Sequence, residues 1–187
     1  DRAQFGGGEG LDDRLADLYA FTESFEGADH AVQRTIVLAL WRAAAARGAT
    51  LPDGFVRWGQ RLAAELLEQA SSDRVREGLD LVREFRIADA FGSVAKVAQN
   101  SAGNADLRPL AIDTCLAIDG PRSIPILGEL LAAAAEQLPV RQKAAAALGS
   151  INNDESRAEL LRQLPTASER LAVEIATALS ASPAGGE

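Results

Sequence analysis

The sequence repeats itself with a period of 33 residues, and this repeat restricts the fold more than any other feature. Five apolar or small positions recur in three consecutive sets: Gly78, Val82, Phe85, Val94 and Ala98, then Ala111, Cys115, Ile118, Leu127 and Leu131, then Ala144, Leu148, Ile151, Leu160 and Leu164. Within each set the first three positions are spaced by four and three residues and the last two by four, which places each group on one face of an α-helix. The repeat therefore predicts three successive units of two short helices each.

Residues that end or cap helices stand where this division requires them. The paired helices are separated by Ile118-Asp119-Gly120-Pro121 in one unit and by Ile151-Asn152-Asn153-Asp154 in the next. Proline or glycine lies between successive units, at 102–104, 137–139 and 164–166. Thr166-Ala167-Ser168-Glu169 fits a capping box, which predicts a last helix over Glu169–Leu179, half of a further unit.

Upstream of these units the period is looser, but the helical pattern continues. One helix is predicted over Ala31–Arg47, and a second follows the break at 48–52 with Phe55, Trp58 and Leu62 turned inward. An earlier helix is indicated by four apolar residues, Leu11, Leu15, Leu18 and Phe25. We therefore expect one all-α repeat domain over 11–180, divided into units at about 11–28 (partial), 29–70, 73–101, 105–137, 138–165 and 168–180 (partial). The glycine-rich segment 1–10 and the segment 181–187 are expected to be a flexible linker and a flexible tail.

Composition limits the classes of function. The 187 residues carry 19 Lys and Arg against 27 Asp and Glu, a net charge of −8 that opposes binding to nucleic acid phosphates. A single cysteine, Cys115, excludes an internal disulfide, a multi-cysteine metal site and a Cys-x-x-Cys-His haem attachment in this chain. No apolar run reaches the ~18 residues of a membrane helix, so no membrane span is expected. Because the chain contains no Met, we expect it to begin downstream of the start of a longer precursor, through signal removal, proteolysis or excision of a fragment, which the sequence does not separate.

The chain resembles HEAT repeats over about residues 29–180, most strongly over 73–165. The resemblance is carried by the segment Val140–Ile151 with its Asn/Asp turn and Leu160–Leu164, and by a second copy from Leu107 to Pro121. The signature patterns of tetratricopeptide and ankyrin repeats are missing from the sequence. The HEAT resemblance implies a right-handed α-α superhelix, an α-solenoid of about four to five helix pairs, with an extended concave surface.

The order of the units carries a second, narrower resemblance. A helix at Ala31–Arg47, the segment Leu51–Phe55, and short units starting at Asp73-Arg74-Val75-Arg76 are similar to the HEAT region of large exported haem proteins of planctomycete-type bacteria. In that family the region lies between a propeller-like dehydrogenase domain and a c-type haem domain. The resemblance implies a soluble periplasmic or exported location. Because the haem-binding cysteines are missing here, no redox residue is carried over.

Several residues have side chains or spacings that could serve a catalytic or binding site. His30 is the only histidine, no catalytic or metal-binding motif surrounds it, and its position beside Asp29 predicts a surface residue in the first turn of a helix. Gly6–Gly10 lacks the Gly-Lys-Ser/Thr of a phosphate loop and is interpreted as linker. Cys115 shares its repeat position with Val82 and Leu148, which favours a buried spacer over a nucleophile.

The remaining candidates are charged or aromatic. Asp12, Asp13 and Asp17 share a helix face without calcium-loop spacing, so a solvated first turn is expected. Trp58 lies in an inward row and is predicted to be core, whereas Trp41 is a possible contact residue. Three arginines, Arg76, Arg108 and Arg141, begin successive units; they could form a basic surface, but pairing with carboxylates such as Asp73 or Asp106 is favoured.

The sequence thus assigns no catalytic, cofactor-binding or metal-binding residue, and predicts no cofactor. It favours a non-catalytic scaffold or protein-interaction module within a larger multidomain protein. The expected partner is another protein or a neighbouring domain, and the isolated domain is expected to be monomeric. The alternative is a cofactor-handling enzyme such as a HEAT-like phycobilin lyase, or the accessory region of a redox enzyme. HEAT-like DNA glycosylases are disfavoured by the net charge of −8 and the 5% aromatic content.

Overall fold

A computed structural model of the chain describes residues 29–180 and the isolated positions 17, 20, 24 and 25. These residues form α-helices and short 3-10 turns without any strand, which confirms the all-α prediction. The eight helices are α1 (His30–Arg47), α2 (Asp53–Leu67), α3 (Ser72–Phe85), α4 (Phe91–Gln99), α5 (Leu107–Ala132), α6 (Leu138–Ile151), α7 (Asp154–Gln163) and α8 (Glu169–Ser180). The predicted linker 1–10, most of the predicted helix within 11–28 and the tail 181–187 lie outside the described residues.

Helix α1 begins and ends at residues whose chemistry suits those positions. The Asp29 side chain accepts a hydrogen bond from the backbone N–H of Ala31 and thereby satisfies a donor of the first turn. At the other end Gly48 adopts a left-handed φ of 63°, and its N–H bonds to the carbonyls of Ala44 and Ala45. Pro52 then precedes α2, so that the chain reverses direction over five residues, 48–52.

The two predicted turns inside units lie where the sequence places them. Helix α5 is broken at Asp119, whose φ and ψ are −157° and 91°, so that it consists of a first arm (107–118) and a second arm (120–132). The Asp119 carboxylate caps the second arm by accepting from the N–H of Arg122 at 3.0 Å. In the next unit Asn152 ends α6 in the left-handed region, and Asn153 forms a capping box with Ser156 at the start of α7.

The capping box predicted at Thr166 is wrong. Thr166 lies in a 3-10 turn, and its hydroxyl donates to the carbonyl of Gln163 instead of capping α8. Because α8 begins at Glu169, the residue in the N-cap position is Ser168. The last helix itself is present at the predicted place, with Leu171, Ile175 and Ala178 buried.

The helices contact their near neighbours along the chain. First helices of units (α1, α3, the first arm of α5, α6, α8) alternate with second helices (α2, α4, the second arm of α5, α7). Within the described residues, the substantial helix contacts are between neighbours along the chain, as in α2–α3 and α5–α6, or between a helix and the next but one, as in α3–α5 and α6–α8. The neighbours α3 and α4 do not pack substantially on each other. Packing is therefore local in sequence from one end of the described chain to the other.

The repeat positions form the core between these helices. Eleven of the fifteen positions are buried, and the remaining four, Phe85, Ile118, Ile151 and Leu164, are half-buried. Gly78 shows why its position takes a small residue: a Cβ there would lie 3.0 Å from the backbone nitrogen of Leu67, at the end of α2. In later units Ala111 and Ala144 occupy the same position with no exposed surface. The residues that recur every 33 positions are thus the ones that lie buried or half-buried between the helices.

Candidate interaction surface

Two arginines at the starts of units bind the unit before them. The Nε of Arg108 donates to the carbonyl of Ala98 at 2.9 Å, and the Nε of Arg141 donates to the carbonyl of Leu131 at 2.9 Å, in each case ten residues earlier. Both carbonyls lie in the last turn of a second helix, where helical acceptors have no partner within their own helix. Each arginine therefore caps the helix that precedes it and ties two units together.

Arg108 makes a further, buried ion pair. Its Nη1 donates to Oε1 of Glu136 at 2.7 Å, and its Nη2 donates to the other carboxylate oxygen. The two side chains are 2% and 6% exposed. The hydrogen bond from Arg108 holds the pKa of the Glu136 carboxyl below its usual value, against the opposing effect of burial. Since Glu136 belongs to the turn after α5, the pair joins both ends of one unit.

These contacts decide between the two interpretations of the arginine series. Arg108 is buried and Arg141 half-buried, while Arg76 is exposed, so the three guanidinium groups do not form a continuous basic surface. The expected pairing with a carboxylate occurs at Arg108, but the partner is Glu136 and not Asp106 or Asp73. Sequence reasoning missed Glu136 because it lies 28 residues from Arg108 and outside the repeat positions.

Charged pairs also cross between neighbouring first helices. Arg34 and Arg42 of α1 lie 3.8 and 3.5 Å from Asp80 and Glu84 of α3. Lys143 of α6 lies 2.6 Å from Asp113 in the first arm of α5, and Asp113 is the repeat equivalent of Asp80. Partly exposed pairs of this kind contribute little stability individually.

The outward sides of the second helices carry small residues and charges of both signs. Exposed small residues include Ala64, Gly92, Ser93, Pro125 and Ala158. Two of these charged side chains contact a residue of the neighbouring second helix. The Glu129 carboxylate accepts a hydrogen bond from the Gln99 amide at 2.9 Å, and the Arg122 guanidinium lies 4.4 Å from the centre of the Phe91 ring. This surface is accessible and chemically mixed.

The two tryptophans differ in environment. Trp58 is core, as its row predicts, and its indole N–H donates to Oε1 of Gln33 at 2.9 Å. Trp41 is half-buried and stacks on Phe85 with ring centres 4.2 Å apart. One edge of Trp41 lines an apolar groove of about 320 Å³, whose other lining residues are Ala44, Ala45, Ala49, Thr50, Leu51 and Val56.

His30, Cys115 and Asp17 are the remaining candidate residues that the structure describes. His30 lies in the first turn of α1, as predicted, with Nε2 at 3.4 Å from a carboxylate oxygen of Glu65. Cys115 is 3% exposed, and burial raises the pKa of its thiol to about 11, which disfavours the nucleophilic thiolate. Asp17 is exposed, whereas Asp12, Asp13 and Gly6–Gly10 lie outside the described residues.

The described residues contain neither a cluster of metal ligands nor a membrane-spanning helix. No group of three or more His, Cys, Asp or Glu side chains is arranged there to hold a metal ion. None of the helices in that part of the chain is long and apolar enough to cross a membrane.

No protein family, no curated protein and no solved structure matches the chain. The HEAT-like pattern and the likeness to haem proteins of planctomycete-type bacteria thus rest on the sequence itself. Function has to be argued from the contacts of this chain.

Proposed function

We propose that the chain is an α-solenoid scaffold or protein-interaction module that works by contact, as one region of a larger protein. The observation that carries this proposal is the locality of the packing: the substantial contacts of the described helices are with the next helix or the next but one along the chain. A stack of units held by nearest-neighbour interfaces is the arrangement of helical repeat proteins. Such stacks present extended surfaces to partners.

The contacts between units support the same proposal. Arg108 and Arg141 cap the helices of the preceding unit in the same way, from positions 33 residues apart, so two successive boundaries share this bond. Ion pairs also join units: Asp80 pairs with Arg34 of the unit before it, and Asp113 pairs with Lys143 of the unit after it. The outward sides of the second helices, with small residues and mixed charges, are the surface that we propose for binding a protein partner.

Truncation tests the stack. A fragment ending at the unit boundary after Gln137 should stay helical and melt cooperatively, because the boundaries between the units upstream of that point stay intact. A matched fragment ending inside a unit, after Ile118, loses the second arm of α5 and Glu136, and should melt at a much lower temperature. Circular dichroism and thermal melting measure both. If the boundary fragment unfolds as completely as the other, the fold is one indivisible core and the solenoid proposal is wrong.

Ligand binding tests the function itself. The phycobilin lyase alternative requires that the chain bind a tetrapyrrole, and the glycosylase reading requires that it bind duplex DNA. We expect no saturable binding of labelled tetrapyrrole or duplex DNA to the full chain in fluorescence titrations. Saturable binding of either one, with chemical conversion of the ligand, would overturn the contact proposal in favour of an enzyme.

A further inference from the structure

A cleft of about 290 Å³ lies between two successive turns of the described chain. One wall is the turn between α2 and α3, and the other is the turn between α4 and α5. Both walls belong to the interior of the described stack, so the cleft is open independently of the two ends of the chain. Its buried lining residues are apolar: Leu67, Val75 and Leu107 are each at most 8% exposed.

The next boundary between units shows which side chains fill the corresponding space there. Val75 and Gly103 both line the cleft, and 33 residues later their positions are taken by Arg108 and Glu136. Those two side chains form the buried ion pair and are 2% and 6% exposed. The cleft is therefore the place where a valine and a glycine stand instead of a long, paired arginine and glutamate.

The end of α2 is capped without an arginine. Arg108 and Arg141 each donate to the helix before them, but the residue at their position in the earlier unit is Val75, which has no side-chain donor. Instead the side-chain amide of Gln69 donates to the carbonyl of Glu65, in the last turn of α2, at 3.2 Å. Capping of this helix therefore does not require that the cleft be filled, and the boundary stays open.

Three side-chain donors that line the cleft have no acceptor among the described residues. The side-chain oxygens of Asn100 and Asn104 accept from backbone N–H groups two residues later, at 3.2 and 2.9 Å, and both side-chain NH₂ groups are left unpaired there. The Ser72 hydroxyl makes no hydrogen bond in that part of the chain either. Gly103 keeps the Asn100 amide uncovered, since a Cβ at this position would lie 2.8 Å from its nitrogen. The cleft thus combines an apolar lining with donors that lack acceptors.

We propose that this cleft binds a small neutral molecule with a branched aliphatic body and a carbonyl head group, such as a primary amide. The aliphatic body packs on Leu67, Val75 and Leu107, and the carbonyl oxygen accepts from the unpaired donors of Ser72, Asn100 and Asn104. A volume of about 290 Å³ lies at the lower end of the range for ligand sites, roughly 300–1,000 Å³, so the ligand is small. This site is additional to the protein-contact surface proposed for the second helices.

The absence of charge in the cleft determines the class of ligand. No charged side chain lines the cleft within the described residues. A carboxylate or an ammonium group would lose its hydration there without a counter-charge, which costs more than burying an amide whose hydrogen bonds are replaced. The next boundary follows the same rule, because the guanidinium of Arg108 is buried there together with the carboxylate of Glu136. A neutral ligand is therefore favoured over either ion.

Three probes of nearly the same shape test this assignment: 3-methylbutanamide, which is neutral, 3-methylbutanoate and 3-methylbutylammonium. Each is titrated into the ¹⁵N-labelled full chain and followed by NMR. The amide should cause saturable shifts of the side-chain NH₂ signals of Asn100 and Asn104 and of backbone signals within 67–75 and 97–107. The two ions should bind more weakly by about tenfold. No saturable shift at these residues, or an ion that binds as tightly as the amide, overturns the proposal.

Variants of the cleft locate the binding. Val75→Arg/Gly103→Glu introduces the side chains of the next boundary and should abolish binding of the amide while circular dichroism still shows a helical chain. Ser72→Ala removes one donor and should weaken binding about fivefold. Ser93→Ala is the matched control, because Ser93 is exposed on α4 outside the cleft, and it should leave binding unchanged. If the double variant does not fold, the two serine variants decide. Undiminished binding to a folded double variant, or equal binding by the two serine variants, overturns the site.

Discussion

Arg108 and Glu136 form a buried ion pair with two hydrogen bonds, between the start of α5 and the turn that follows it. The same guanidinium donates to the carbonyl of Ala98 in α4, so one side chain joins the second helix of one unit to both ends of the next. Buried charges are tolerated when their hydrogen-bonding groups are satisfied in this way. This pair provides a sensitive test of the boundary between units.

Removing the charge of Glu136 should destabilise the chain strongly. Glu136→Gln leaves the Arg108 guanidinium buried without a counter-charge, which costs about 3–5 kcal/mol for a buried pair. The double variant Arg108→Met/Glu136→Leu removes both charges and should recover most of that loss. Urea unfolding of the three proteins measures the effect. A Glu136→Gln protein as stable as the wild type would show that the pair is not formed in solution.

The same carboxyl should make stability depend on pH in the acidic range. The pKa of Glu136 is lowered in the folded chain, so the unfolded chain binds its proton first as the pH falls. The contribution of Glu136 is therefore complete above the ordinary glutamate value of about 4.3, and it is lost as the pH falls from there through the folded pKa. Urea midpoints at pH 7, 5, 4 and 3 measure this. Glu136→Gln should show a shallower decline below pH 5.

Two glycines should respond in opposite directions to the same substitution. In Gly149→Ala the new Cβ lies 2.7 Å from the Cβ of Ala178 and 3.0 Å from its backbone, so α6 and α8 must move apart at a cost of about 1–3 kcal/mol. Gly92→Ala in α4 meets no atom within 4 Å and should stabilise the helix by about 0.5–1 kcal/mol. Thermal melting measures both variants. Equal effects on Tm would mean that α6 and α8 are not in close contact.

A charge at a repeat position should disrupt the stack. Leu148 has no exposed surface, and Leu148→Asp buries an unpaired carboxylate between α6 and its neighbours, which should cost several kcal/mol and unfold the domain. Ala146→Asp is the matched control, because Ala146 is exposed on the same helix. Circular dichroism should show loss of helix in the first variant alone. Retained helicity and an unchanged Tm in Leu148→Asp would mean that the 33-residue register is misassigned.

Cys115 should be chemically silent while the chain is folded. Its thiol is buried and its pKa is raised to about 11, so the thiolate is scarce at pH 8. A thiol reagent such as dithionitrobenzoate should react with the native chain at the rate of unfolding, and at once in concentrated urea. Rapid reaction of the native chain would place Cys115 at an accessible site and reopen the nucleophile interpretation.

The positions of helices and turns followed from local sequence. Asp29 and Gly48 bound α1, Asp119 divides α5, and Asn152-Asn153 separates α6 from α7, because caps and left-handed residues act within a few bonds of where they stand. The inward rows were predictable for the same reason, as a row on one helix face requires only the helical period. The one capping residue that was misplaced, Thr166, stands at a 3-10 turn whose tightness depends on Pro165 and the helices around it.

The contacts between units could not be predicted from local sequence. The pairing of Arg108 with Glu136 spans 28 residues, and the choice of Glu136 over the nearer Asp106 depends on how the turn after α5 folds back toward the start of that helix. The bond between Trp58 and Gln33 spans 25 residues and joins two helices whose relative rotation no local pattern specifies. The exposure of Leu161 was equally hidden, because the residues at its position in the two units before it are buried.

By itself, then, the sequence determined that this chain is helical, where several of its helices begin and end, and which faces are apolar, since those properties depend on residues within one or two turns of each other. Tertiary structure alone decided which charges pair across unit boundaries, which arginines are buried, and which apolar side chains remain exposed at the ends. Those outcomes depend on the relative placement of helices, and that placement is set by the summed packing of many side chains far apart in sequence.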